Sequence, residues 1–233
     1  MSKYRHEYKY VLNHAQAVVL EKLVSGLLQA DSHANEKGVY LIKSLYFDDY
    51  ANSCYYENEN GTDPRSKFRI RFYNNNTQKI KLEKKSKVRG MTRKESCSLT
   101  LAECQQMMHG KIPETNTQMS KIKISLFTQM RLKNMQPKVI VIYERKPFIY
   151  QAGNVRITFD RNICSSNLVE HFLEENIPVR QILSVGESIM EVKWDEFLPK
   201  YIKDFLQLGQ LQWSSFSKYY LCRKYSSNGG LKL

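Results

Sequence analysis

The stretch KFRIRFY, residues 67–73, constrains the fold more than any other segment. Side chains alternate across a strand, so Phe68, Ile70 and Phe72 share one face while Lys67, Arg69, Arg71 and Tyr73 share the other. The same mixture of cationic and apolar faces returns in KIKLEKKSK, YERK, VRITFDR and MEVKW. A sheet of such strands needs one face packed under apolar partners and another that tolerates, or uses, concentrated positive charge.

The short link NNNTQ predicts a hairpin between residues 67–73 and 79–85, which sets Lys79, Lys81, Glu83 and Lys85 beside Arg69 and Arg71. Like charges on neighbouring strands repel, so the cluster costs stability unless an anion or the interspersed Glu83 offsets it. Further strands are expected at YRHEYKYVL, VYLIKSLYF, MTRKESCSL, KVIVIYERKPFIY, VRITFDRNI and SIMEVKW, about eight in all. Helical spacing marks His14–Gln29, Ser98–His109, about 118–133, Phe197–Leu208 and Ser214–Lys224, and ENENGTDPRS reads as a loop.

So many antiparallel hairpins exclude a doubly wound parallel sheet. The expectation is an α+β fold in which eight antiparallel strands close into a barrel with helices packed outside. No repeat, linker or shift of composition divides the chain, so residues 1–233 are read as one domain that includes C-terminal helices at 196–225.

The 36 Lys and Arg against 23 Asp and Glu leave a formal charge of +13, which calls for a polyanionic partner: nucleic acid, anionic lipid or a phosphate compound. The five cysteines are odd in number and lack CxxC spacing, which argues against a disulfide framework or a zinc site and fits a reducing cytoplasm. The N-terminus MSKYRHEYKY lacks the apolar core of a signal peptide, and VIVIY is too short to cross a bilayer. Neither GxxxxGK[ST] nor GxGxxG occurs, and no histidine spacing suggests a metal site or a nucleophile triad.

Several charges admit two readings. Arg5, Glu7 and Lys9 share a face, as they would on an exposed edge strand or in a binding site. Tyr143 and Arg145 are in phase, as are Arg156, Thr158 and Asp160; an arginine fork can hold two phosphate oxygens or form a surface salt bridge. Glu191 shares a face with Lys193 and is either their counter-ion or a ligand for magnesium or manganese.

Taken in order, RHEYKY, SLYFDD, KFRIRFY, KLEKKSKVRG, YERKPF, VRITFDR, MEVKW and SKYYLCR resemble the VTC domain of polyphosphate polymerases, part of the CYTH group of triphosphate tunnel metalloenzymes. The resemblance runs from about Tyr4 to about Lys224. It implies a basic tunnel that binds ATP and inorganic polyphosphate or triphosphate, with Arg69, Arg71, Arg145 and Arg156 gripping the reacting phosphates. Lys9, Lys81, Lys85, Tyr143, Lys193 and Lys218 are the implied phosphate binders, and Glu191 with Glu7 the implied ligands of manganese or magnesium. The group's ExExK signature appears with Arg5 in place of the first glutamate, which leans away from hydrolysis of small triphosphates and toward polymer synthesis.

The implied activity is transfer of the ATP γ-phosphate to a growing polyphosphate chain in a compact, free-standing bacterial protein. Hydrolysis of triphosphate or polyphosphate on the same site, and a noncatalytic polyphosphate-binding module, are the alternatives. Nucleic acid is not expected, because many of the aromatic residues lie out of phase with the cations and so offer no stacking platform beside them.

Overall fold

The two-faced strands assemble as their patterning demands, apolar side outward under helices and charged side inward. The computed structural model describes residues 4–31, 35, 38–114, 119–208 and 211–228. Its strands are β1 (His6–Leu12), β2 (Gln29–Ala30), β3 (Tyr40–Asp48), β4 (Arg65–Tyr73), β5 (Ile80–Val88), β6 (Met91–Leu99), β7 (Gln136–Tyr150), β8 (Val155–Ser166), β9 (Arg180–Gln181) and β10 (Ser188–Trp194). The helices are α1 (His14–Leu27), α2 (Ser53–Glu59), α3 (Leu101–Met108), α4 (Lys121–Lys133), α5 (Lys200–Leu208) and α6 (Lys218–Asn228).

Eight long strands pair antiparallel in the order β1-β10-β8-β7-β3-β4-β5-β6, with two-residue β2 and β9 beside β7 and β8. The closed barrel expected from the sequence does not form: this order has two ends, and the sheet is an open, curled half-barrel. Among the described residues the edge strands meet at one isolated bridge, Arg5–Thr92, whose backbone hydrogen bonds measure 2.8 and 2.9 Å. The reason lies on the outer edge of β1, which the segment at Trp213 occupies instead of β6. Tyr10 bridges Trp213, and Ser214 N–H donates to Lys9 O at 2.9 Å.

Two apolar clusters clamp helices to the convex face. Phe68, Ile70, Phe72, Ile80 and Leu82 pack with Met107 of α3 and with Leu126 and Phe127 of α4. On the other half, Leu12, Ile157, Phe159, Met190 and Val192 pack with Leu20 and Val24 of α1 and Ile202 of α5. Each fully buried aliphatic or aromatic side chain of this kind contributes about 1.5–3 kcal/mol, which fixes which face of each strand is inside.

Several boundaries differ from the sequence expectation. The loop at 57–66 begins inside α2, a helix whose Asn- and Glu-rich sequence has no apolar period; Asp48 accepts N–H bonds from Cys54 and Tyr55 at 2.9 and 3.2 Å, and Asp49 one from Ser53 at 2.8 Å. Those carboxylates satisfy amide groups that a helix start leaves unpaired. α3 starts at Leu101 because Thr100 and Glu103 form a capping box, leaving residues 98 and 99 to β6. α6 starts at Lys218, later than its spacing predicts, and Gln118, at the expected start of the fourth helix, lies outside the described residues. Among the described residues no helix is long and apolar enough to cross a membrane.

Candidate functional site

Strand register brings the charged faces together. Arg69 and Arg71 of β4 stand opposite Glu83 and Lys81 of β5, Lys67 opposite Lys85, and Arg145 of β7 opposite Asp160 of β8. On the other flank Lys9 of β1 pairs with Glu191 of β10, and Glu7 with Lys193. These faces enclose a cavity of about 410 Å³ on the concave side. Lysines and arginines supply eleven of its lining residues, and Glu7 and Glu191 are its two carboxylates.

The arginines are held rigidly. Glu83 receives Arg69 Nε and Nη2 on Oε2 at 2.7 and 2.6 Å and Lys94 on Oε1 at 3.0 Å, while Tyr46 OH accepts from Arg69 at 2.9 Å. Arg71 donates to Ser44 Oγ at 2.9 Å and to Tyr143 OH at 3.1 Å. Arg145 engages Asp160 with both prongs, at 2.6 and 2.7 Å, and reaches Glu191 at 3.2 Å. A two-pronged pair fixes the guanidinium plane as well as its position.

Lys218 enters from the first turn of α6 and lies 2.5 Å from Asp160 and 2.8 Å from Glu191. α6 itself is anchored by Tyr219 OH donating to Asp48 and by Arg223 donating to Asn52 at 2.7 Å. The same Asp48 therefore caps α2 and seats the helix that delivers Lys218.

Burial raises the pKa of Glu191, but Lys193, Lys218 and Arg145 outweigh it and hold the carboxyl well below the usual range. Glu83 and Glu7 are lowered in the same way, burial opposing and Arg69 or Lys85 prevailing. Two lysines are lowered as well, here by burial itself. Burial drives Lys67 to about 7, and its ammonium meets Asn58 Oδ1 at 3.1 Å and the Tyr219 ring at 4.7 Å. Burial also takes Lys85 to about 7 despite Glu7 at 2.6 Å, because Lys9 and Lys193 crowd it.

Of the expected site residues, Arg69, Arg71, Arg145, Lys9, Lys85, Tyr143, Lys193, Lys218, Glu7 and Glu191 line this cavity. Arg156 and Lys81 do not line it. Arg156 is drawn to Asp31 at 2.8 Å and Tyr40 OH at 2.8 Å, and Lys81 is exposed near the start of β5. Sequence reasoning left Arg65, Lys67, Lys87 and Arg89 out of the binding set, although Arg65, Lys67 and Lys87 continue the two-residue period of its neighbours. The serines at 214–217, which line the mouth before α6, carry no periodic signal at all.

The donor set fits a divalent ion. Among the described residues no three His, Cys, Asp or Glu gather into a metal cage. Magnesium needs none, since it uses one or two carboxylates and takes its remaining ligands from phosphates and water. Glu7 Oε1 is buried and accepts no hydrogen bond, with Lys193 Nζ 3.4 Å away, so one carboxylate oxygen in the cavity is still open.

The concave face of this curled antiparallel sheet gathers cations around a few carboxylates. The chain belongs to the VTC domain family, whose model matches residues 4–226, and with it to the CYTH group of triphosphate tunnel metalloenzymes. These are metal-dependent enzymes acting on triphosphate or polyphosphate substrates. Solved structures repeat the fold at low identity. A Bacillus halodurans protein described as a candidate adenylate cyclase superposes with a TM-score of 0.54 at 12% identity, over 93% of this chain and 95% of that one. The PH1819 protein of Pyrococcus horikoshii OT3 gives 0.51 at 13% identity, over 95% and 99%. No curated protein matches the sequence.

Proposed function

We propose that the cavity binds the triphosphate of ATP and that its terminal phosphoryl group passes to inorganic phosphate or to the end of a polyphosphate chain. The observation that carries the reading is the imbalance of eleven lysines and arginines against two carboxylates in one cavity of about 410 Å³. Phosphoryl transfer asks little covalent chemistry of a protein; it asks for alignment, and for positive charge where negative charge accumulates.

Arg69, Arg71 and Arg145 supply pre-aligned guanidinium planes, Lys9, Lys85 and Lys193 supply point charges on flexible stems, and Lys218 supplies a buried charge fixed between Asp160 and Glu191. Glu191 and Glu7 would hold a magnesium or manganese ion. Such an ion would supply positive charge that offsets the charge of the phosphates. Tyr143 OH keeps Arg71 pointed into the cavity through their 3.1 Å hydrogen bond.

Hydrolysis of triphosphate or polyphosphate is the second reading, favoured by the seam between β1 and β6. A wall joined at one bridge admits water beside the phosphates, and water can replace phosphate as acceptor on the same cradle. Incubating the purified chain with ATP and manganese separates the readings. Long polyphosphate on a gel supports synthesis; orthophosphate release without polymer supports hydrolysis. Tripolyphosphate binding without turnover would reduce the protein to a binding module, and failure to bind it would overturn the assignment of the cavity.

A further inference from the structure

A phosphate chain offers no apolar surface and no π face, yet two exposed aromatic rings stand at the edge of the cation-lined cavity, with Tyr8 on the face of β1 opposite Glu7 and Lys9. Trp213 is 62% exposed and Tyr8 43%. They stand edge to face with ring centroids 6.1 Å apart, and Tyr8 packs in turn on buried Trp194 at 4.8 Å. Among the described residues no lysine or arginine stacks over Trp213 or Tyr8, although cations cover the cavity's other tyrosines, Tyr46, Tyr143 and Tyr219.

The platform is held in place. Trp213 bridges Tyr10 on the edge of β1, and Ser214 N–H is bonded to Lys9 O, so the ring follows directly from the strand that carries Lys9 into the cavity. Tyr8 also walls a second cavity of about 500 Å³, lined by Leu198, Leu206, Leu211 and the Lys203 stem. A ligand with a polyanionic end and a flat apolar end would match cations on one side of this rim and rings on the other.

We infer that Trp213 and Tyr8 form a nucleobase-stacking site at the rim of the phosphate cavity, so that the protein distinguishes nucleoside triphosphates from inorganic phosphate chains. Bases stack on aromatic side chains through their π faces, which makes such a platform tolerant of base identity. The inference rests on the proposed assignment of the cavity to triphosphate, and the experiment is chosen to separate the two.

Calorimetric titration of the full chain with magnesium-ATP and, separately, with inorganic tripolyphosphate would be run on wild type, Trp213→Ala and Trp213→Phe. Trp213→Ala is expected to weaken ATP binding about ten-fold and to leave tripolyphosphate within about two-fold, with Trp213→Phe recovering most of the ATP affinity. Equal losses for both ligands, or unchanged ATP affinity in Trp213→Ala, would overturn the stacking site while leaving the phosphate assignment standing. Wild type binding tripolyphosphate but not ATP would have the same meaning. Wild type binding neither would overturn both.

Discussion

Replacing Lys218 with methionine tests whether α6 is a working wall of the site or merely a lid resting on it. The side chain is 6% exposed and its ammonium sits 2.5 Å from Asp160 and 2.8 Å from Glu191, so the variant deletes two charge-assisted contacts from a buried cluster. Such contacts contribute about 1.5–3 kcal/mol each, and removal of a partner that leaves a buried charge unpaired costs about 3–5 kcal/mol. Here the carboxylates are not abandoned: Arg145 still grips Asp160, and Lys193 still holds Glu191 at 2.7 Å. Arg145, Lys193 and Lys218 against Asp160 and Glu191 leave one positive charge, and the variant makes this group neutral. The expected loss therefore sits near the lower figure, about 3 kcal/mol, or a fall of roughly 6–12 °C in Tm for a chain of this size. Urea denaturation beside Lys193→Met, whose side chain is 22% exposed, is the assay. A loss under about 1 kcal/mol, or one no larger than that of Lys193→Met, would refute the claim that the cluster binds α6 to the sheet.

Arg69→Ala should weaken tripolyphosphate binding by about 1.5–3 kcal/mol, measured calorimetrically, and wild-type affinity would mean that this face of β4 does not meet the ligand. Glu191→Gln should abolish metal-dependent turnover of ATP while circular dichroism reports an intact fold; undiminished turnover would remove Glu191 from metal binding. Tripolyphosphate affinity should fall about ten-fold between pH 7.5 and 9, even though the ligand itself loses a proton and gains negative charge toward the upper end of that range. The sign follows from Lys67 and Lys85 at about 7: an anion favours the ammonium, which is present below that pH and lost above it. A flat profile would show that neither lysine meets the phosphates.

The strands and the inward cations were legible because alternation is a local property. KFRIRFY declares its two faces without knowledge of its neighbours, and the hairpin link to β5 sets the register that places Arg69 beside Glu83. Closure was not legible. Whether β1 meets β6 depends on what occupies the free edge of β1, and the occupant at Trp213 is some 200 residues away in sequence with no strand pattern of its own. Arg156 illustrates the same limit: its phase was right, but Asp31 and Tyr40 decide where its guanidinium goes. α2 escaped notice because its stability comes from the carboxylates of Asp48 and Asp49, outside the helix itself.

Glu83, Asp160 and Glu191 already sit among the guanidinium and ammonium groups in the resting protein, like place-keepers at a laid table. A guest that carries little charge brings those cations less than their present partners do and cannot displace them. A long polyanion meets many of them at once and competes by valence, so the internal carboxylates favour ligands that carry many charges on one chain.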